Sequence, residues 1–182
     1  MTGGPSDTLR AVHVLLATDA KWLVDDVVAV LGDENTSFTV CSDGREVARQ
    51  VTKAMKQDHS FDIGIFDLQI GSMGGMAVTM ALRLDASAGR APAIPVLMLL
   101  DREADIHLAR RSGAEGWMVK PLDPLRLRRA VRTVATGGTY TEGIDEATGT
   151  AVDTSEAAAA PADEGAETVD TAEGADAVPA AT

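Results

Sequence analysis

Lys and Arg are absent from the last stretch of the chain: residues 139–182 hold eleven Asp or Glu and no basic residue. The net charge of −12 over 182 residues is almost wholly carried there, because 17 acids face 16 bases in residues 1–138. Aromatics are scarce in the same stretch, where Tyr140 is the one aromatic residue. A segment built of Ala, Glu, Asp, Gly and Thr cannot bury enough apolar surface to offset the entropy of ordering. Residues 139–182 therefore read as an acidic, Ala-rich disordered tail. A near-neutral body with an acidic tail argues against non-specific nucleic-acid binding, which needs a basic footprint. Cysteine is limited to Cys41, which excludes an internal disulfide and reads as a small core residue before it reads as a reactive thiol. No apolar run reaches the roughly 20 residues of a membrane span. The polar lead of residues 1–10, MTGGPSDTLR, lacks a basic region followed by an apolar stretch of signal length. The expectation is a cytoplasmic protein without a membrane segment. Nucleotide-binding glycine patterns are missing as well, with no GxxxxGK[ST] and no GxGxxG after the first apolar run.

What is present between residues 11 and 138 is an alternation. Ala11–Ala17 (AVHVLLA) is a nearly continuous apolar run, as in a strand buried on both faces. Leu23, Val27, Val30 and Leu31 then fall on one helical face, with Gly32 as a stop. Phe38–Cys41 predicts a short strand, and Ser42 or Asp43 can cap a helix carrying Val47, Val51, Ala54 and Met55 inward. Asp62–Phe66 leads to Asp67. Gly71, Gly74 and Gly75 mark a flexible turn, after which Ala77, Met80, Ala81 and Leu84 form a further helical stripe. Ile94–Leu100 predicts a strand, Glu103–Ser112 a shorter helix closed by Gly113, and Gly116–Val119 a brief strand ending before Lys120 and Pro121. Asp123 and Pro124 suit the N-cap and first position of a last helix, with Leu127, Ala130, Val131 and Val134 inward and Gly137-Gly138 ending the ordered part. The connections are too long for hairpins. The pattern predicts an α/β fold: a doubly wound, five-stranded parallel sheet with right-handed crossovers and helices on both faces. No internal repeat or second domain is visible.

In a parallel sheet the carboxyl ends of the strands share one edge, where open α/β sheets bind ligands. Asp19, Asp67 and Lys120 each follow an apolar run and converge there. Read singly, Asp19 can cap the first helix, Asp67 can start a loop, and Lys120 can form a plain salt bridge with Asp67. Read together, two carboxylates suit a hard cation such as Mg²⁺, which also accepts a backbone carbonyl and phosphate oxygens. Lys120 adds a point charge for a phosphoryl group, and an Asp can be its acceptor through an acyl phosphate.

VLLATD, IFDLQIGSMGG, PVLMLL and GWMVKP occur in this order and at this spacing over about Val12–Thr136. In this the body resembles a response-regulator receiver domain of the chemotaxis-regulator type, with the flavodoxin-like fold of that family. The resemblance implies that Asp67 is the phosphoacceptor for a histidine kinase or phosphotransfer protein in a two-component phosphorelay. It implies that Asp19, Asp67 and the Gln69 backbone carbonyl are Mg²⁺ ligands, and that Lys120 pairs with the phosphoryl group. Trp117 stands at the switch aromatic, a position that also reads as a partly buried strand-edge indole. The chain departs from the family at Thr18, where the first acid belongs, and at Leu100, where a Thr or Ser would bond the phosphoryl group. Asp101 replaces a small residue, and Gly71 replaces the usual proline, which loosens that turn. Loss of one charge predicts weak Mg²⁺ binding.

Two functions follow as expectations. One is a single-domain response regulator that accepts phosphate on Asp67 and signals by contact with an output protein, without direct DNA binding. The other is a phosphorylation-independent pseudo-receiver acting as a protein-binding module. An aspartate-nucleophile phosphatase needs a second Asp two residues after the nucleophile, where this chain has Gln69, so no enzyme is expected. Arg126, Arg128, Arg129 and Arg132 make the last helix basic on its outer face. That face reads as solvated surface, or as a protein-binding face over which the acidic tail folds back.

Overall fold

In the computed structural model, which describes residues 11–145 and 150–151, the apolar runs form one parallel sheet. Its strands are β1 (Val12–Ala17), β2 (Thr36–Cys41), β3 (Ile63–Asp67), β4 (Val96–Leu100) and β5 (Gly116–Val119). The order is β2-β1-β3-β4-β5, with all pairings parallel. Between them run α1 (Lys21–Leu31), α2 (Gly44–Lys56), α3 (Gly75–Ser87), α4 (Ile106–Ser112) and α5 (Pro124–Ala135). A 3₁₀ turn, Glu103–Asp105, precedes α4. The expected doubly wound α/β sheet is the observed one.

Every residue of β3 and β4 is buried, because helices cover both faces. On one face Val14, Leu16, Ile63, Ile65, Leu97 and Leu99 pack under α1 and α5. On the other, Leu15, Ala17, Phe66 and Val96 pack under α2 and α3, while Met98 and Leu100 meet α4. The alternation of one face with the other along each strand is the period-two pleat. Capping follows the sequence at three places. Asp43 accepts from the Arg45 N–H at 2.8 Å, Asp123 accepts from the Leu125 and Arg126 N–H groups, and Gly113 closes α4 at φ 77°.

The stripe expected to face inward on α3 faces outward. Val78, Thr79 and Leu82 are buried, whereas Met80 and Leu84 are 46% and 64% exposed. The first residue of α3 decides this. A Cβ on Gly75 would lie 2.5 Å from the Asp67 carbonyl oxygen, so the helix starts in direct contact with the end of β3. That contact fixes the rotation of the helix, and positions three, four and seven residues on from Gly75 then point inward. Thr79 is tolerated in the interior because its hydroxyl donates to the Gly75 carbonyl at 2.9 Å. On α2, Val47 and Val51 are buried as expected but Met55 is 44% exposed.

The ordered part does not end at Gly138. Residues 139–143 run along the outer edge of β5, with Tyr140 bridged in parallel to Gly116. The Trp117 N–H donates to the Tyr140 carbonyl at 2.8 Å and the Tyr140 N–H to the Glu115 carbonyl at 3.2 Å. Tyr140 is buried under α5, so the expectation of disorder from residue 139 fails at its one aromatic residue. Beyond it, β6 (Ile144–Asp145) pairs antiparallel with β7 (Thr150–Ala151). Otherwise the expected lead of residues 1–10 and the rest of the tail lie outside the described residues. Among the described residues no helix is long and apolar enough to cross a membrane.

Candidate functional site

The strand order reverses between β1 and β3, which opens a crevice at their carboxyl ends. Four strand ends deliver side chains to it. Thr18 follows β1, Asp67 closes β3, Asp101 follows β4 and Lys120 follows β5. Backbone bonds hold these ends in place: Thr18 N–H to the Cys41 carbonyl, Leu68 N–H to Leu99, and Lys120 N–H to Leu100. The Lys120–Pro121 peptide bond is cis.

Asp67 is 3% exposed and Thr18 1% exposed. A carboxylate so buried needs partners, and it has three. Lys120 Nζ donates to Oδ1 at 2.9 Å, the Gln69 N–H donates to Oδ1 at 3.1 Å, and Thr18 Oγ1 donates to Oδ2 at 3.0 Å. Lys120 also donates to Asp101 Oδ1 at 3.0 Å and lies 5.9 Å from the ring centre of the half-exposed Trp22. The lysine thus bridges two acids from adjacent strands. Sequence reasoning named Asp101 as a departure from a small residue but did not see Trp22, whose lone aromatic ring at the start of α1 was the available signal.

Asp19 stays at the rim, exposed, and does not cap α1. Ala20 occupies the N-cap position and Thr18 Oγ1 accepts its N–H at 3.1 Å. Instead, Asp19 Oδ2 accepts the Gly71 N–H at 3.2 Å. A proline at 71 could not donate that bond. The departure expected to loosen the turn therefore ties it to the end of β1. The same loop is held from a second side by Ser72, at φ 65°, whose hydroxyl donates to Asp43 Oδ2 at 2.7 Å.

The donor chemistry of Asp19, Asp67 and a nearby backbone carbonyl is hard oxygen, which suits Mg²⁺. The charge count is low. Among the described residues no group of three or more His, Cys, Asp or Glu is placed to hold a metal. Thr18 contributes a neutral hydroxyl where a third carboxylate would have stood.

Leu100 and Trp117, the two remaining positions, belong to one apolar cluster on the α4 side of the sheet. Leu100 is fully buried there with Leu68, Met98, Ile106 and Ala109. Trp117 is 7% exposed, a strand-edge indole whose Nε1 donates to the Glu142 carbonyl at 2.8 Å, with the Arg110 guanidinium 5.6 Å from its ring. Glu142 is the residue that sequence reasoning missed altogether. Its carboxylate accepts from the Val119 N–H at 3.2 Å, from Arg126 at 2.7 Å and from the Tyr140 hydroxyl at 2.7 Å. Burial first, and then the Glu142 carboxylate, push the Tyr140 phenol up to about 12.

The family model described as "Response regulator receiver domain" matches residues 14–132. Among curated proteins, the chain is 28% identical over 128 residues to the DNA-binding response regulator MtrA of Mycobacterium tuberculosis. That match covers 69% of this chain and 51% of MtrA, so the chain spans about half the length of the relative. Among solved structures it is similar to the chemotaxis response regulator CheY4 of Vibrio cholerae, at 26% identity and a TM-score of 0.56, covering 68% of this chain and 98% of that one. A putative response regulator of Chloroflexus aurantiacus shares the fold at a TM-score of 0.60 and 21% identity, covering 70% of this chain and 99% of that one. With the family model spanning most of the chain and the sheet order matching, the chain belongs to the response regulator receiver domain family of two-component signalling.

Proposed function

We propose that the domain accepts a phosphoryl group on Asp67 from a phosphohistidine of a kinase or phosphotransfer protein and signals by contact with another protein in the cytoplasm. The observation that carries this is Lys120 Nζ at 2.9 Å from Asp67 Oδ1, at the topological switch of a parallel sheet. A carboxylate oxygen of Asp67 attacks phosphorus, the P–N bond breaks, and the imidazole leaves with the bonding pair and is then protonated. Lys120 is already poised to pair with the added phosphoryl oxygens, and as a flexible point charge it can leave Oδ1 to do so. Mg²⁺, when bound, supplies the positive charge that offsets the entering phosphate, and Asp19, Asp67 and the Gln69 carbonyl would hold it. With two carboxylates and a hydroxyl, binding is weak. The Thr18 hydroxyl, freed from Oδ2, becomes a donor to the phosphoryl group where Leu100 cannot be one. The domain is a phosphoacceptor and not a phosphatase, since Gln69 stands where a general acid would act. The near-balance of 17 acids and 16 bases in residues 1–138 supports a protein output over direct DNA contact.

Intact mass after incubation with acetyl phosphate and Mg²⁺ tests this, with Asp67→Asn alongside. One phosphate adduct on the native chain and none on the variant is the expected result. No adduct from acetyl phosphate or from a cognate kinase would overturn it.

One observation favours a second reading, a pseudo-receiver that binds its partner without phosphorylation. Leu100 is buried in the same apolar cluster as Trp117, so the hydroxyl that would link a phosphoryl group to that face is missing. Under this reading Asp67→Asn leaves partner binding unchanged.

A further inference from the structure

We propose, on the reading of Asp67 as phosphoacceptor, that Asp101 is a positioning residue that restrains phosphoryl uptake. Its carboxylate is a resident anion on Lys120, and an entering phosphoryl group must draw the lysine away from it.

Strand register creates the contact. Leu100 and Val119 close the paired register of β4 and β5, and the Lys120 N–H donates to the Leu100 carbonyl at 2.8 Å. The next residue of each strand, Asp101 and Lys120, therefore stand side by side at the carboxyl edge. Opposite charges at cross-strand neighbours attract. Lys120 Nζ donates to Asp101 Oδ1 at 3.0 Å and to Asp67 Oδ1 at 2.9 Å, so one ammonium serves two carboxylates. A small side chain at position 101 would leave Lys120 to Asp67 alone.

Phosphorylation changes these two acids differently. Once Asp67 is an acyl phosphate, its negative charge lies on the phosphoryl oxygens, and Lys120 must follow the charge to pair with it. Asp101 keeps its own charge throughout. The ammonium has three N–H donors, yet its single positive charge is divided between every anion it touches. Other cations do not relieve the competition. Arg102, next in the chain, forms its ion pair with Asp105 at 3.1 Å. Thr18 brings a hydroxyl and no charge to draw in Mg²⁺, and Leu100 has no donor to offer the phosphoryl group. Lys120 is thus the cation on which uptake depends, and Asp101 already holds it. Asp101 itself is 44% exposed, so its side chain can be replaced without opening the core.

The test is the rate at which acetyl phosphate with Mg²⁺ adds one phosphate mass to the full chain. An Asp67 oxygen bonds to phosphorus, the bond from phosphorus to the acetyl oxygen breaks, and acetate leaves with the electron pair. Asp101→Ala and Asp101→Asn should each gain phosphate at least about tenfold faster than the native chain. Asp101→Glu keeps the charge and should stay within about threefold of the native rate. The gain should also need the lysine. In a Lys120→Met background, adding Asp101→Ala should change the rate by less than about threefold. Plain repulsion between Asp101 and the donor would persist there, whereas competition for Lys120 would not. Circular dichroism and Tm establish that each variant folds, and Lys120→Gln replaces Lys120→Met if the latter does not. Native uptake matched by Asp101→Ala overturns the proposal and leaves Asp67 as the phosphoacceptor, as does a gain undiminished without Lys120. No adduct on any of these proteins overturns both.

Discussion

Thr18 Oγ1 donates to Asp67 Oδ2 at 3.0 Å across the gap between the ends of β1 and β3. A hydroxyl at this point stabilises the carboxylate in the absence of a cation, whereas a second carboxylate would repel it. Thr18→Asp should therefore lower metal-free stability at neutral pH by about 1–3 kcal/mol, the cost of a buried, poorly matched polar pair. Mg²⁺ should restore that loss and bind at least tenfold more tightly than to the native chain. Trp22, beside Lys120, gives a fluorescence titration to measure it. Unchanged Mg²⁺ affinity in a folded variant would count against the proposed ligand set.

Lys120 and Asp67 have side chains only 10% and 4% exposed, so this pair is a buried one. Lys120→Ala leaves Asp67 with the Thr18 hydroxyl and the Gln69 N–H but without a cation. The expected loss is on the order of 3 kcal/mol by denaturant unfolding, as for breaking a buried pair on one side. Asp67→Asn keeps the shape and an acceptor oxygen, so its loss should be clearly smaller. Equal losses would mean that Lys120 contributes through packing and not through charge.

Leu100→Thr puts a hydroxyl at the end of β4 but removes apolar atoms from a closed cluster. The expected cost is about 2–3 kcal/mol, mostly cavity and unpaired hydroxyl. Thermal unfolding measures it. If the cost falls below about 1 kcal/mol, the pocket beside Trp117 is looser than this packing implies.

Gly75→Ala should distort the Asp67 site from behind. Its Cβ would meet the Asp67 carbonyl at 2.5 Å and the Leu68 Cα at 3.1 Å, both backbone atoms that cannot swing aside. A loss of about 1–3 kcal/mol is expected, together with slower phosphoryl uptake on Asp67. Gly89→Ala is the control for space, because nothing lies within 4 Å of its Cβ, although its φ of 67° adds strain of its own.

Two groups should show their burial by titration. Burial first, and then Glu46, push the Cys41 thiol up to about 11, against the opposing Arg49. Alkylation by iodoacetamide near pH 8 should therefore be negligible in the native chain and rapid after unfolding. Cys41 and Tyr140 have folded-state values above their unfolded ones, so the unfolded chain releases these protons first. Stability from these groups is complete below about pH 9 and declines as pH rises toward about 11 for Cys41 and about 12 for Tyr140. Unfolding midpoints measured from pH 8 to 11 should fall, and less steeply in Tyr140→Phe.

The sequence by itself determined the sheet, its strand ends and the convergence of Asp67 with Lys120. Continuous apolar runs can be satisfied only by strands buried on both faces, and a parallel sheet puts their carboxyl ends on one edge. The order and spacing of the motifs around those ends were local enough to read. What only the tertiary structure decided depended on contacts between segments distant in the chain. The rotation of α3, which turns Met80 and Leu84 to solvent, is set by Gly75 against the end of β3, and no periodicity within the helix encodes that contact. The fastening of Asp19 by Gly71 spans 52 residues, and a glycine in a loop announces freedom before it announces a donor. The packing of Tyr140 and Glu142 was hidden by composition. A window averaged over residues 139–182 is too acidic and too small-sided to fold, yet one aromatic ring and one carboxylate suffice when an edge strand and an arginine are waiting for them.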